Sequence, residues 1–204
     1  KSWLRVTCLG DWKGEELLIK DAKKGSGQAM REVEIYDTCY SPPMAYKANE
    51  PIQFYTKTGD EEKPYALALS VKVPSGVKRP LVLLISEGEK MRYRVFDIDP
   101  KNFPYGSCKI VNFSNNTLSI LMNKEGKQLK PGSQCLYPAV NQKLVKTSLK
   151  IANMEQKKLV FSTMMFRRAH KRVIVFLIND PKKGEGRIKP SVLVDFKPTP
   201  PVGG

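Results

Sequence analysis

The feature that most constrains the fold is a likeness between two distant stretches of the chain itself. "VKRPLVLLISEGEKMRYRVFDID" (residues 77–99) runs parallel to "HKRVIVFLINDPKKGEGRIKPSVLVDF" (residues 170–196). Each holds a Lys-Arg pair, an apolar run, a polar turn and a second run closing near an aspartate. The second turn is longer, "DPKKGEG" against "EGEK", a difference that a hairpin loop tolerates. Upstream the order of blocks is kept. "RVTCLGDWKGEELLIKD" answers to "CKIVNFSNNTLSILMNK", "EVEIYDTCYSPP" to "PGSQCLYP" (which sets Cys39 on Cys135), "EPIQFYTKT" to "LVKTSLKIA", and "PYALALSVKVPSG" to "KKLVFSTMMFRRA". A repeat of this length implies two consecutive lobes, 1–100 and 101–204, each large enough to close its own core. Between them, "DPKNFPYGS" has the prolines and glycine of a linker.

Within the blocks, alternation indicates strands. In "YALALSVKV", Leu67, Leu69, Val71 and Val73 fall on one side at period two and are expected to be buried. "LSILM" and "SLKIA" alternate similarly, with Pro and Gly punctuating the chain at the spacing of sandwich strands. Helix is sparse; even "GEELLIKDAKK", with adjacent Leu17, Leu18 and Ile19, suits a strand and hairpin better. The expected fold is all-β: two tandem, related, antiparallel β-sandwich lobes, immunoglobulin-like or similar, ending in a loose "KPTPPVGG" tail. The longest apolar runs, "LVLLI" and "VIVFLI", are strand-sized, so no membrane span is expected.

Charge separates the lobes. Residues 1–100 carry 16 Lys and Arg against 15 Asp and Glu, and residues 101–204 carry 19 against 5. The second lobe is therefore strongly basic at +14, a field that favours anionic partners such as nucleic acid or acidic glycan. Its densest stretch is "RRAHKRVIVFLIND", which is either an anion-binding patch or the turn into a buried strand. Because "VKRP" occupies the same place in the weakly charged lobe, the pair Lys171 and Arg172 reads as architecture. Arg167 and Arg168 have no such counterpart. The candidate anion-binding set is Arg167, Arg168, Lys171, Arg172, Lys182, Lys183 and Arg187. No helix-turn-helix, zinc-finger or RNP-like pattern accompanies it.

Signals for catalysis are weak. His170 is the only histidine and sits among cations, poor surroundings for a general base. The acidic "GDEEK" (59–63) reads as a solvated hairpin tip, and "DID" (97–99) lacks the oxygen-rich loop of a calcium site. "KKGSGQ" (23–28) lacks the phosphate-loop pattern and reads as a flexible connection. Cys8, Cys39, Cys108 and Cys135 have no zinc-type spacing; two disulfides and four buried thiols both remain open. Asn112 and Asn115 match the N-glycosylation pattern, with Asn115 and Asn116 alternatively serving as hairpin turn residues. No metal or cofactor motif is present, and no catalytic residue is assigned.

The run "IVNFSNNTLSILMN" followed by "LKPGSQCLYP", a strand, an Asn/Ser turn, a second strand and a Pro-Gly turn, resembles repeats in the extracytoplasmic tandem immunoglobulin-like domains of unknown function in bacterial surface and periplasmic proteins. The resemblance is one of architecture. It implies a non-catalytic binding or structural module, not an enzyme, placed in the periplasm, at the cell surface or in the medium, with a protein or glycan partner. An anion-binding protein acting through the basic lobe is the alternative. The start at Lys1 fits removal of an upstream leader.

Overall fold

The computed structural model describes residues 2–9, 16–20, 30–87, 90–180 and 186–198. The chain divides into two compact units, Lys1–Asn102 and Phe103–Gly204, with the division inside the Pro- and Gly-containing segment 99–107. Among the described residues every regular element is a strand, and no helix is long and apolar enough to cross a membrane. The loop "KKGSGQ", Lys182 and Lys183, and the tail from residue 199 lie outside the described residues.

The first unit holds β1 (Ser2–Cys8), β2 (Leu18–Lys20), β3 (Met30–Glu32), β4 (Met44–Tyr46), β5 (Ile52–Lys57), β6 (Tyr65–Val71), β7 (Pro80–Glu87) and β8 (Lys90–Asp97). They form two sheets, β4-β1-β7-β8 and β3-β2-β5-β6. Leu4, Val6, Val82 and Leu84 of the one meet Ile19, Ile52, Phe54 and Val71 of the other in a single core. The second unit holds β9 (Cys108–Asn112), β10 (Leu118–Met122), β11 (Glu125–Leu129), β12 (Gln134–Tyr137), β13 (Val145–Asn153), β14 (Lys158–Arg167), β15 (Lys171–Asn179) and β16 (Ile188–Phe196). Its sheets, β12-β9-β15-β16 and β11-β10-β13-β14, enclose Ile110, Val175 and Leu177 from one side and Leu118, Ile120, Leu149 and Ile151 from the other.

The protein is thus an all-β tandem of two sandwiches with one strand order used twice. Even the exceptions repeat. The pairs β1·β7 and β9·β15 are parallel while every other pair is antiparallel, and a β-bulge interrupts both β5·β6 and β13·β14. In chain order, immunoglobulin constant domains run 1-2-5-4 against 3-6-7. The likeness to them here is two packed sheets, with a strand order of its own.

Three expectations change in detail. The links β1 to β2 and β9 to β10 are crossings between sheets, not hairpins, so Asn115 and Asn116 do not close a hairpin. The chain turns there because the buried Asn112 amide donates to the carbonyls of Asn116 and Leu129 while its Oδ1 accepts from Ser114. Leu67 faces outward and is 54% exposed. The bulge between Phe54 and Tyr55 takes up Ala68 as an extra residue, so Leu69 keeps the inward side and Leu67 falls opposite Tyr55. Finally, Cys135 lies in β12 opposite Ile110, whereas Cys39 is exposed in the bend ahead of β4, so the two are not equivalent.

Candidate binding surface

Two arginines of the basic stretch that opens β15 go into the interior. Arg167, the last residue of β14, is buried. Its Nη2 donates to the carbonyl of Gly106 at 2.8 Å and to that of Pro138, and Nη1 lies 3.8 Å from the Met122 sulfur. Burial pulls its pKa below the ordinary guanidinium value. Arg172 is buried too; Nε and Nη2 meet one carboxylate oxygen of Asp195 at 2.8 and 2.7 Å, and Nη1 donates to the carbonyl of Phe103. The guanidinium also lies against two rings, 4.9 Å from the centre of Phe103 and 4.6 Å from that of Tyr105. Both arginines tie the linker-side segment to the sandwich, and neither can present its charge to a ligand.

Of the remaining candidates, Arg168 is exposed, and Lys171 and Arg187 are half-buried. Lys182 and Lys183 lie outside the described residues. The first unit shows what the Lys-Arg pair is worth there: Arg79 is exposed and is held through its backbone, the N–H by Asp97 at 3.2 Å and the carbonyl by the N–H of Ile98 at 2.9 Å. Burial raises the Asp97 pKa, but hydrogen bonds from Asn102 and from the amides of Asp99, Arg79 and Lys78 outweigh it and leave the pKa lowered. "DID" therefore serves as a strand-end cap.

All four cysteines are thiols. Cys8 and Cys108 are buried in their cores, and Cys108 sits diagonally across the β9·β12 pair from Cys135. That separation, about 7–8 Å for diagonal neighbours, is too long for a disulfide without moving the backbone. Burial pushes the Cys108 thiol up to about 12. Of the two glycosylation patterns, Asn112 is fully buried with its amide engaged, and Asn115 is exposed. His170 is exposed and stacks on Phe196 at 6.1 Å. Among the described residues no group of three or more His, Cys, Asp or Glu is placed to hold a metal ion.

The surface that stands out is the outward face of the β10–β13–β14 sheet, which charge counting alone does not single out. In β13, Thr147, Leu149, Ile151 and Asn153 point into the core, so Lys146, Ser148, Lys150 and Ala152 point out. Register places Phe166 beside Lys146, Met164 beside Ser148, Ser162 beside Lys150, and Leu159 beside Ala152. Leu121 of β10 lies on the other side of Lys150. Phe166 (52%), Met164 (47%) and Leu159 (54%) are thus large apolar side chains left in water on one strand. The strands β10, β13 and β14 contain no Asp or Glu, so this face joins apolar groups to lysines with no carboxylate on those strands to answer them. The β13–β14 hairpin that carries it is fixed by Asn153, whose Oδ1 accepts the N–H groups of Glu155 and Gln156.

Sequence reasoning missed Leu121, Lys146, Lys150, Leu159, Met164 and Phe166. A signal was present in "VKTSLKIAN", where lysines occupy the positions alternate to the apolar ones. The chain matches no family model and no curated protein.

Proposed function

We propose that the chain is a non-catalytic binding module whose second unit engages a protein partner through the outward face of β10, β13 and β14. The observation that carries this reading is the row Leu159, Met164 and Phe166, exposed on one strand beside Lys146 and Lys150. Monomeric proteins rarely leave such rows in water without use, and an apolar row flanked by charge has the anatomy of an interface centre with its rim. The buried Arg167 and Arg172 weigh against the alternative, an anion-binding surface at the start of β15, by removing its two central cations.

The two readings separate in a salt series. Binding of an amphipathic acidic peptide is compared with binding of heparin and mixed-sequence DNA, using wild type, Met164→Ser/Phe166→Ser, and Arg168→Gln/Lys171→Gln/Arg187→Gln. The interface reading expects peptide binding of modest salt dependence that the first variant loses and the second keeps. Steep salt dependence confined to the polyanions and lost in the second variant would establish the anion-binding reading instead.

A further inference from the structure

Strand β14 is not only exposed on its face; it also ends its sheet. Among the described residues it pairs with β13 on one side and with no strand on the other. At 10 residues it is the longest strand among the described residues. Long apolar edges are normally blunted by charge, proline or brevity, because their unpaired N–H and C=O groups recruit other strands. Here the run between Lys158 and Arg167, "LVFSTMMF", carries no charge and no proline.

The inner side of the same edge is only partly covered, with β16 of the facing sheet close to it. Val160, Phe161 and Met165 pack against the core of the second unit but are only partly buried. An added strand would close that opening with its inward residues. Its outward residues would lie beside Ser162, Met164 and Phe166, within reach of the lysines.

The equivalent edge of the first unit makes the geometry a repeated feature. There β6 ends its sheet, and the bulge turns Leu67 outward to 54%, the exposure that Leu159 has just before the bulge in β14. The cations beside β6 are already engaged. On its neighbour β5 the single lysine, Lys57, is held by Glu16 at 3.0 Å, and Lys20 of β2 lies 5.3 Å over the ring of Tyr55, the residue opposite Leu67.

From these observations we infer that β14 is a strand-addition site for an extended peptide of a partner protein, with alternating apolar and acidic residues. This rests on the interface reading above and names the mode and chemistry of the contact. The apolar residues cover Phe161 and Met165. The acidic residues lie across Met164 and Phe166 and bring carboxylates to Lys146 and Lys150. Main-chain hydrogen bonds supply the affinity and the alternation supplies the specificity. A second copy of this chain is a poor occupant, since pairing β14 with itself would set lysines of two strongly basic units against each other.

The test uses the full chain and labelled peptides read by fluorescence anisotropy. The first alternates valine and glutamate, the second valine and lysine, and the third is polyglutamate of the same charge as the first. Further versions of the first are N-methylated on the valine amides, on the glutamate amides, or on both. Expected are binding of the valine-glutamate peptide over both controls and loss of binding when both edges are methylated. At least one singly methylated version should still bind. Lys146→Gln/Lys150→Gln should weaken binding roughly tenfold, a change of about 1.4 kcal/mol. Leu67→Glu on the equivalent edge should leave binding unchanged. If the doubly methylated peptide binds as well as the parent and Met164→Ser/Phe166→Ser abolishes both, strand addition is overturned while the interface reading stands. If polyglutamate binds as well as the alternating peptide, both fall. If no peptide binds, the strand-addition proposal is refuted.

Discussion

Replacing Arg172 by Met tests whether the basic stretch before β15 works as structure. The side chain is 3% exposed, and its partner Asp195 is 14% exposed. Methionine keeps much of the aliphatic volume against the rings of Phe103 and Tyr105 but removes every donor. Asp195 then holds a carboxylate in a site built for a guanidinium, and the carbonyl of Phe103 loses the Nη1 bond. Breaking a buried pair from one side costs about 3–5 kcal/mol. For a unit of this size, stability is about 5–15 kcal/mol in total, so roughly a fifth or more disappears. The corresponding fall in Tm is on the order of 15–30 °C. Urea unfolding can assign the loss, because both tryptophans, Trp3 and Trp12, lie in the first unit. Tryptophan fluorescence follows that unit alone, and far-ultraviolet circular dichroism follows both. The destabilisation belongs in the part of the dichroism transition that fluorescence does not track. The double variant Arg172→Met/Asp195→Leu removes both charges and should recover most of the loss, as apolar replacements of buried pairs do. A cost below about 1 kcal/mol for the single variant would refute the argument. So would a double variant whose loss equals the sum of the losses in Arg172→Met and Asp195→Leu alone, because no coupling between the two side chains would then exist.

Other consequences follow from the same residues. With its folded pKa raised to about 12 from an ordinary 9, Cys108 keeps its full contribution to stability below pH 9. Above that, the unfolded chain ionises first. Stability should therefore fall between about pH 9 and 12 by up to roughly 4 kcal/mol, a loss that Cys108→Ala removes in alkaline urea titrations. In the folded protein a thiol reagent should modify exposed Cys39 rapidly and Cys108 only after unfolding, read by mass spectrometry of peptides. Arg167→Met should destabilise the second unit by about 1–3 kcal/mol, since the Pro138 carbonyl loses the guanidinium and that of Gly106 keeps only the N–H of Val140, whereas Arg168→Gln should stay within about 0.5 kcal/mol of wild type in the same urea assay. Gly106→Ala should cost at least about 1–3 kcal/mol: φ there is +88°, and a Cβ would stand 2.6 Å from the backbone oxygen of Val140.

The legible part of the fold was the part encoded locally and twice. The repeated Lys-Arg blocks mark where the same strand recurs, and alternation in "VKTSLKIAN" reports strand faces directly, because a strand's period of two is written in the order of its residues. The bulges were not legible. Nothing in "YALALSV" says that Ala68 will be the extra residue, and that one insertion moves Leu67 from core to solvent. Arg167 was misread for a related reason. Charge in a sequence gives sign and position but not the direction of the side chain. Arg167 follows Phe166 by one residue, so if Phe166 points to water then Arg167 must point inward, where the carbonyls of the linker-side segment meet it.

The same alternation links structure to the proposed activity. In β14 the edge strand exposes Met164 and Phe166 on the face where β13 offers lysines, and turns Arg167 inward to hold the segment around Gly106. A one-residue slip would reverse both assignments, burying Phe166 and leaving Arg167 in water. The bulge at Ile151/Ala152, the Asn153 turn and the Arg167 anchor fix the register from both ends of the hairpin. A strand whose register is fixed at both ends is a preorganised template for another, so an incoming peptide orders only itself.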